Sequence, residues 1–261
     1  MAASAPTRRR SDFPDFVQTN VDIPALAEEI FSLYAGEQNV VIDGNKYTTT
    51  FFRREYCADL RVMSLAGRLA LSVNQHAARE QGQEDALKPL RVTVQEIMLA
   101  ALLHDIGKQH EDCAPFLELL QGRDLRSEGV DPARRQQELL DIVRDVHCRK
   151  GPCMIDRLRD AGRDELSNPF VVTVARRHGD DFEVNRGETQ GCWWSREINV
   201  ITIADDYDAM ISDGPERSYK PKNLTPEEAA ALLRAGVERG RYEPRITEVF
   251  ITDVLGLRSS S

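Results

Sequence analysis

Histidine is scarce in this 261-residue chain, which has five, at His76, His104, His110, His147 and His178. Four of them sit on, or at the ends of, segments whose apolar residues recur at helical spacing. That is an odd place for a polar ring unless something inside the bundle needs it. A single such histidine is ordinarily a satisfied core residue, but metal sites in helical bundles are assembled from single inward-facing ligands on different helices. The adjacent pair His104-Asp105 is the most informative. An imidazole nitrogen can hold one cation while the neighbouring carboxylate, with two oxygens, bridges to a second, and paired cations clamp the attacking and leaving oxygens of phosphoryl transfer. His110 lies past this pair in a polar stretch and is expected to be exposed.

The elements that must position these residues are read from periodicity and punctuation. Met1 to Ser11 combine Ala, Ser, Pro and an arginine run with no apolar segment behind them, which reads as a flexible tail and not as a secretory signal. Asp22-Ile23-Pro24 can cap and open a helix carrying Leu26, Ile30, Leu33 and Tyr34 up to Gly36. Val40 to Ile42, Asp43-Gly44-Asn45 and Tyr47 to Phe51 have the pattern of a small hairpin, the only β structure expected. A helix over Arg53 to Glu80 shows an apolar face of Leu60, Met63, Leu65, Leu69 and Val73, with His76 near its end. Thr93 to Leu103, apolar throughout from Ile97, predicts a helix buried on most sides that delivers His104-Asp105 at its end, where Gly107 can stop it. Further helices are expected at Pro132 to Cys148, Pro152 to Ala161, Asn168 to His178 and Ser195 to Ser212. In the last of these, Ile198 to Ala204 run straight into Asp205-Asp206-Tyr207-Asp208. Asp206 and Asp208 are expected to face away from any metals, because neighbours on a helix point in different directions. Thr225-Pro226-Glu227-Glu228 is a capping box with proline at the first helical position. A final helix after Pro244 carries Ile246, Val249, Phe250 and Val254.

Composition bounds the possibilities. Hydrophobic residues make up 41% and charged residues 30%, values of a globular chain with one main core. The net charge of −9 and pI near 5.2 repel a polyanionic duplex, so duplex nucleic acid is not an expected partner. A small anionic substrate remains compatible, since bound divalent cations reverse the local field. No apolar run reaches membrane-spanning length, so no membrane contact is expected. Cys57, Cys113, Cys148, Cys153 and Cys192 are odd in number and include no CxxC pair, which suits a reducing, cytoplasmic setting. They read as apolar filler ahead of zinc ligands. Trp193-Trp194 reads as a core or interface anchor.

The run Leu102-Leu103-His104-Asp105-Ile106-Gly107-Lys108 resembles the signature of the HD superfamily of metal-dependent phosphohydrolases. With His76 upstream and Asp205 downstream, the superfamily's H…HD…D ligand order is complete. The resemblance extends toward the HD-GYP branch, whose members hydrolyse cyclic dinucleotides such as cyclic di-GMP. His147 is similar to that branch's histidine after the HD motif, and Arg177-His178-Gly179 stands where the branch has His-His-Glu. Ala204 to Ala209, Ser212 to Arg217 and Tyr242-Glu243-Pro244 resemble its ADxYDA, SDRPYR and FDP elements.

The resemblance implies a mainly α fold, an HD-domain helical bundle over residues 56–257. It is preceded by a tail over 1–20 and by the N-terminal helix and hairpin over 21–55. It implies metal ligands His76, His104, Asp105, His147, His178 and Asp205, with Asp105 bridging two divalent ions. Iron or manganese is favoured; magnesium, nickel and cobalt are compatible. A hydroxide shared by the two ions would attack phosphorus in line, and Lys108 would neutralise charge on a phosphate oxygen. Arg217, with Lys220 or Lys222, would hold a second phosphate. The substrate would be small and phosphorylated, a nucleotide by preference, cleaved by a phosphodiesterase.

Departures from the branch bear on specificity. Phe182 to Gly187 replace the GYP tripeptide. Ser72 stands one turn before His76, where three-metal members carry Glu, so two metals are expected. Three other readings stay open: a nucleotide phosphomonoesterase, a mixed-valent diiron oxygenase, which in this superfamily uses the same ligand order, and a module that binds without turnover. Oligomeric state is open, a homo-oligomer included.

Overall fold

Apolar spacing along residues 53 to 80 produces the longest contact surface of the fold. In the computed structural model, which describes residues 38–42, 45–49, 51–113, 116, 131–187, 193–212 and 223–257, this segment is helix α1, Phe51–Arg79. Its buried stripe is Asp59, Val62, Ala66, Leu69, Ala70, Val73 and Ala77, spaced three and four apart as one helical face requires. Helix α2, Val94–Leu103, opens on Thr93, whose hydroxyl accepts from the Glu96 amide while the Glu96 carboxylate accepts from the Thr93 amide, a reciprocal cap. Ile97 and Leu99 to Leu103 are buried, so α2 is covered on nearly every side. Full burial of each such aliphatic chain stabilises by roughly 1.5–3 kcal/mol, which anchors the end that carries His104.

Further helices complete the bundle. Helix α3, Pro132–Asp160, runs unbroken where two helices were expected. Pro152 lies inside it, and the loss of one backbone hydrogen bond there is offset because the helix packs on α4, Pro169–Arg177, and on the turn after the His104-Asp105 pair. Asn168 caps α4, accepting from the Phe170 amide at 2.9 Å. A short helix, α5, Phe182–Arg186, follows. Helix α6, Ser195–Ile211, is buried from Glu197 to Ala204 and packs on α1 and on α7, Pro226–Glu238. The capping box at Thr225 and Glu228 is formed. Helix α8, Pro244–Val249, continues into a wide turn over Phe250–Val254. There the Phe250 ring meets Tyr207 edge-on at 5.2 Å.

Gln38–Ile42 and Asn45–Thr49 lie as an antiparallel pair, but the residues around and between them and their side chains fall outside the described residues. The small N-terminal hairpin is therefore not established, and nothing in the helical architecture rests on it. The tail and the helix expected after Asp22 also fall outside. Among the described residues no helix is long and apolar enough to cross a membrane.

Candidate metal centre

The chain changes geometry where α2 ends. His104 keeps helical angles, φ −57° and ψ −38°, while Asp105 turns into the bridge region at φ −98° and ψ 7° and starts a 3-10 turn over Ile106–Gln109. Successive side chains on a regular helix diverge by about 100°. The switch to a tighter turn brings the imidazole and the carboxylate into the same interior, with His104 Nε2 3.4 Å from Asp105 Oδ2. The turn can press against α3 because Gly107 has no side chain. A Cβ there would lie 2.0 Å from the His147 carbonyl oxygen and 2.6 Å from the Gly151 amide nitrogen.

Three buried histidines then share one orientation. His104 Nδ1 donates to the Ala101 carbonyl at 2.7 Å, His147 Nδ1 to Val143 at 2.7 Å and His178 Nδ1 to Val174 at 3.0 Å. A carbonyl oxygen only accepts, so each Nδ1 carries a proton, and the atom each ring can offer to a cation, once Nε2 is deprotonated, is Nε2. Those Nε2 atoms turn inward. His147 and His178 Nε2 stand 3.1 Å apart, and they lie 3.2 and 3.3 Å from Asp105 Oδ1. His104 Nε2 is 3.5 Å from Asp205 Oδ1 and is buried without a hydrogen-bond partner. Inward Nε2 atoms gathered around buried carboxylates need positive charge between them, which protons supply in the metal-free chain, and the same donor set fits divalent cations.

The electrostatics agree. Burial pushes the His104 imidazolium down, but the carboxylates of Asp105, Asp205 and Asp59 outweigh it and bring the ring up to about 10. His147 also rises to about 10, with burial opposing and hydrogen bonding to Asp105 and the neighbouring Cys148 raising it. His178 is lowered, by burial first and by the other two rings. Asp105 is held well below the carboxylate range: burial opposes this, and Lys108, His104 and hydrogen bonds from His147 and His178 prevail. Asp205 falls to about 2 against burial, chiefly through His104. The Lys108 ammonium is in direct contact with Asp105 Oδ2.

A family model described as the HD domain matches residues 60–210, a span that contains every residue of this cluster except Asp59. The chain belongs to the HD domain family. No curated protein and no solved structure matches it. HD domains form a family of metal-dependent hydrolases, and the His/Asp groups of this one could hold metal ions.

Five of the six expected ligands of this HD domain come together: His104, Asp105, His147, His178 and Asp205. The sixth, His76, does not join them. It is 28% exposed, 2.9 Å from Asp253 Oδ2 and 3.6 Å from Glu80 Oε1. The physical reason is its register on α1, where Val73 and Ala77 are buried and His76 falls on the flank. The carboxylate that α1 does bring to the site is Asp59, 2% exposed and 3.9 Å from His104 Nδ1. It was legible in principle as a charged residue in phase with Val62, Ala66, Leu69 and Val73. His110 is also corrected: it is 5% exposed, folded in beside Arg157, with Nδ1 accepting from the Asp112 amide at 3.1 Å. Asp206 and Asp208 point elsewhere, Asp206 to Arg241 and Tyr242 and Asp208 to Arg61 across the interface with α1. Trp194 packs on Phe170 while Trp193 stacks under Arg91. Arg217, Lys220 and Lys222 lie outside the described residues.

Beside the cluster, a cleft of about 610 Å³ runs between α3 and the segment after α4, lined in part by Arg144, Cys148, Arg149, Arg176, Gly179 and Arg241.

Proposed function

We propose that this HD domain is a two-cation phosphohydrolase acting on a nucleotide phosphoester, a phosphodiester, cyclic dinucleotides included, in preference to a monoester. The observation that carries the reading is the inward convergence of three imidazole Nε2 atoms on Asp105, each ring pinned by a backbone carbonyl. Divalent cations held there would supply Lewis acidity and lower the pKa of water.

The protein's own groups account for the rest. Asp105 presents Oδ1 to His147 and His178 and Oδ2 to His104, as a carboxylate shared by two ions would. Lys108, resting on Asp105, offers the ammonium that neutralises a non-bridging phosphate oxygen as charge builds in the transition state. Arg144 and Arg176 line the cleft beside the cluster, among as many aspartates as arginines, and their guanidinium groups can hold a second phosphate.

The test is metal analysis of the purified chain, followed by turnover of phosphodiester and phosphomonoester substrates with Mn²⁺ or Fe²⁺, beside oxygen uptake. Close to two ions per chain and Asp105→Ala losing ions and hydrolysis together are expected. Substrate-dependent oxygen consumption without phosphoester cleavage, or full turnover by Asp105→Ala, would refute the reading.

A further inference from the structure

We propose that Cys148 is a thiolate ligand, so that His147, Cys148 and His178 hold a sulfur-coordinated cation next to the nitrogen- and oxygen-coordinated cation of His104, Asp105 and Asp205. The proposal rests on the cation-binding reading of the cluster and adds to it a ligand type that fixes which metals enter.

Cys148 Sγ lies 3.5 Å from His147 Nε2. The donor atoms of His147, Cys148 and His178 all fall within 4.8 Å of one another. Ideal tetrahedral coordination, with bonds of about 2.0–2.1 Å to nitrogen and about 2.3 Å to sulfur, separates two nitrogens by about 3.35 Å and a nitrogen from a sulfur by about 3.55 Å. The spacings of 3.1 Å between the Nε2 atoms and 3.5 Å from nitrogen to sulfur match that arrangement. They arise because α3 brings His147 and Cys148 against the end of α4, with Gly151 only 2.9 Å, at its would-be Cβ, from Ala175.

The other described cysteines have different settings. Cys113 is buried in the apolar core and Cys153 is exposed. Cys148 is half-buried and faces both the imidazole pair and the cleft, so an ion can reach it from solvent. On binding, the thiol gives its proton to solvent and the sulfur lone pair forms the bond to the ion, with no change of oxidation state. A thiolate with two imidazoles selects Zn²⁺, Co²⁺ or Fe²⁺ over Mg²⁺ and Mn²⁺. The two positions of the centre are therefore unequal, one soft and one hard.

The experiment is cobalt titration of the full chain, read by absorption. Wild type should develop a near-ultraviolet sulfur-to-cobalt charge-transfer band. Cys153→Ser should keep it. Cys148→Ser should lose it while still binding cobalt at the other position. One of its two affinities should fall by at least the roughly 10- to 100-fold that loss of an outer-shell partner costs. As a readout independent of any variant, alkylation of Cys148 in wild type, followed by peptide mass spectrometry, should be slowed by Zn²⁺ and untouched by Mg²⁺. Cobalt bound with no such band, a band that survives Cys148→Ser, or alkylation indifferent to Zn²⁺ overturns the thiolate ligand and leaves the metal centre standing. A chain that binds no cobalt overturns both.

Discussion

Replacing Gly107 by alanine tests how the fold builds the centre without touching a ligand. The added Cβ would sit 2.0 Å from the His147 carbonyl oxygen and 2.6 Å from the Gly151 nitrogen. A carbon–oxygen contact relaxes only near about 3.3 Å, so the turn and α3 must separate by more than about 1 Å. Both obstacles are backbone atoms of helix α3 and cannot swing aside. Overpacking of this kind typically costs about 1–3 kcal/mol, occasionally more, and the upper end is expected. The same displacement carries His147 away from Asp105 and His178, so one metal position should weaken while the His104 and Asp205 side, on other helices, persists. Gly67→Ala is the control. Its Cβ would meet the Met98 Cγ at 2.9 Å, a flexible side chain that can yield, and alanine gains about 1 kcal/mol over glycine inside a helix. It should be neutral or slightly stabilising. Urea denaturation in the presence of chelator gives the stability, and metal analysis after dialysis gives the stoichiometry. A Gly107→Ala chain with the wild-type midpoint and full metal content would refute the idea that close approach of the turn to α3 assembles the site.

Lys108→Ala should lower kcat by about a hundred- to a thousandfold with little change in KM, because a preorganised charge acts on the transition state, and should leave the metal count unchanged; near-normal turnover in steady-state kinetics would show the lysine to be a mere partner of Asp105. His76→Ala should keep both ions and most activity, since its contacts are the half-exposed Asp253 and Glu80 and such pairs contribute about 0–1 kcal/mol; loss of an ion by metal analysis would return His76 to the ligand set. His104 and His147, raised to about 10, carry protons in the metal-free chain at neutral pH, so metal binding should release protons and tighten as pH rises from about 6 to 9, as calorimetry in buffers of different ionisation enthalpy would show. By the same sign, their protonation stabilises the metal-free fold fully below about 6.5 and loses that effect as pH climbs through about 10; a metal-free chain most stable above pH 10 in thermal unfolding would contradict it.

The sequence by itself determined the helices that matter and most of the residues that meet at the centre. Apolar spacing marked α1, α2 and α6, the capping box at Thr225 marked the start of α7, and a scarce histidine beside an aspartate at the end of a buried helix pointed to metal. Those features are local, written in spacings of three and four residues and in single capping groups. What only the tertiary structure decided depends on packing between distant segments. Pro152 was read as a boundary, yet α3 runs through it, because contacts with α4 and with the turn at Gly107 outweigh one missing backbone hydrogen bond. His76 has the right residue type and order, but the rotation of α1 about its axis, fixed by Val73 and Ala77, turns it to Asp253. The same rotation turns Asp59 inward to His104. Cys148 follows its neighbour His147 by one residue, and nothing in one dimension shows that its sulfur and two imidazole nitrogens meet. That coincidence belongs to the contact of α3 with the end of α4, where absent glycine side chains let the backbones approach.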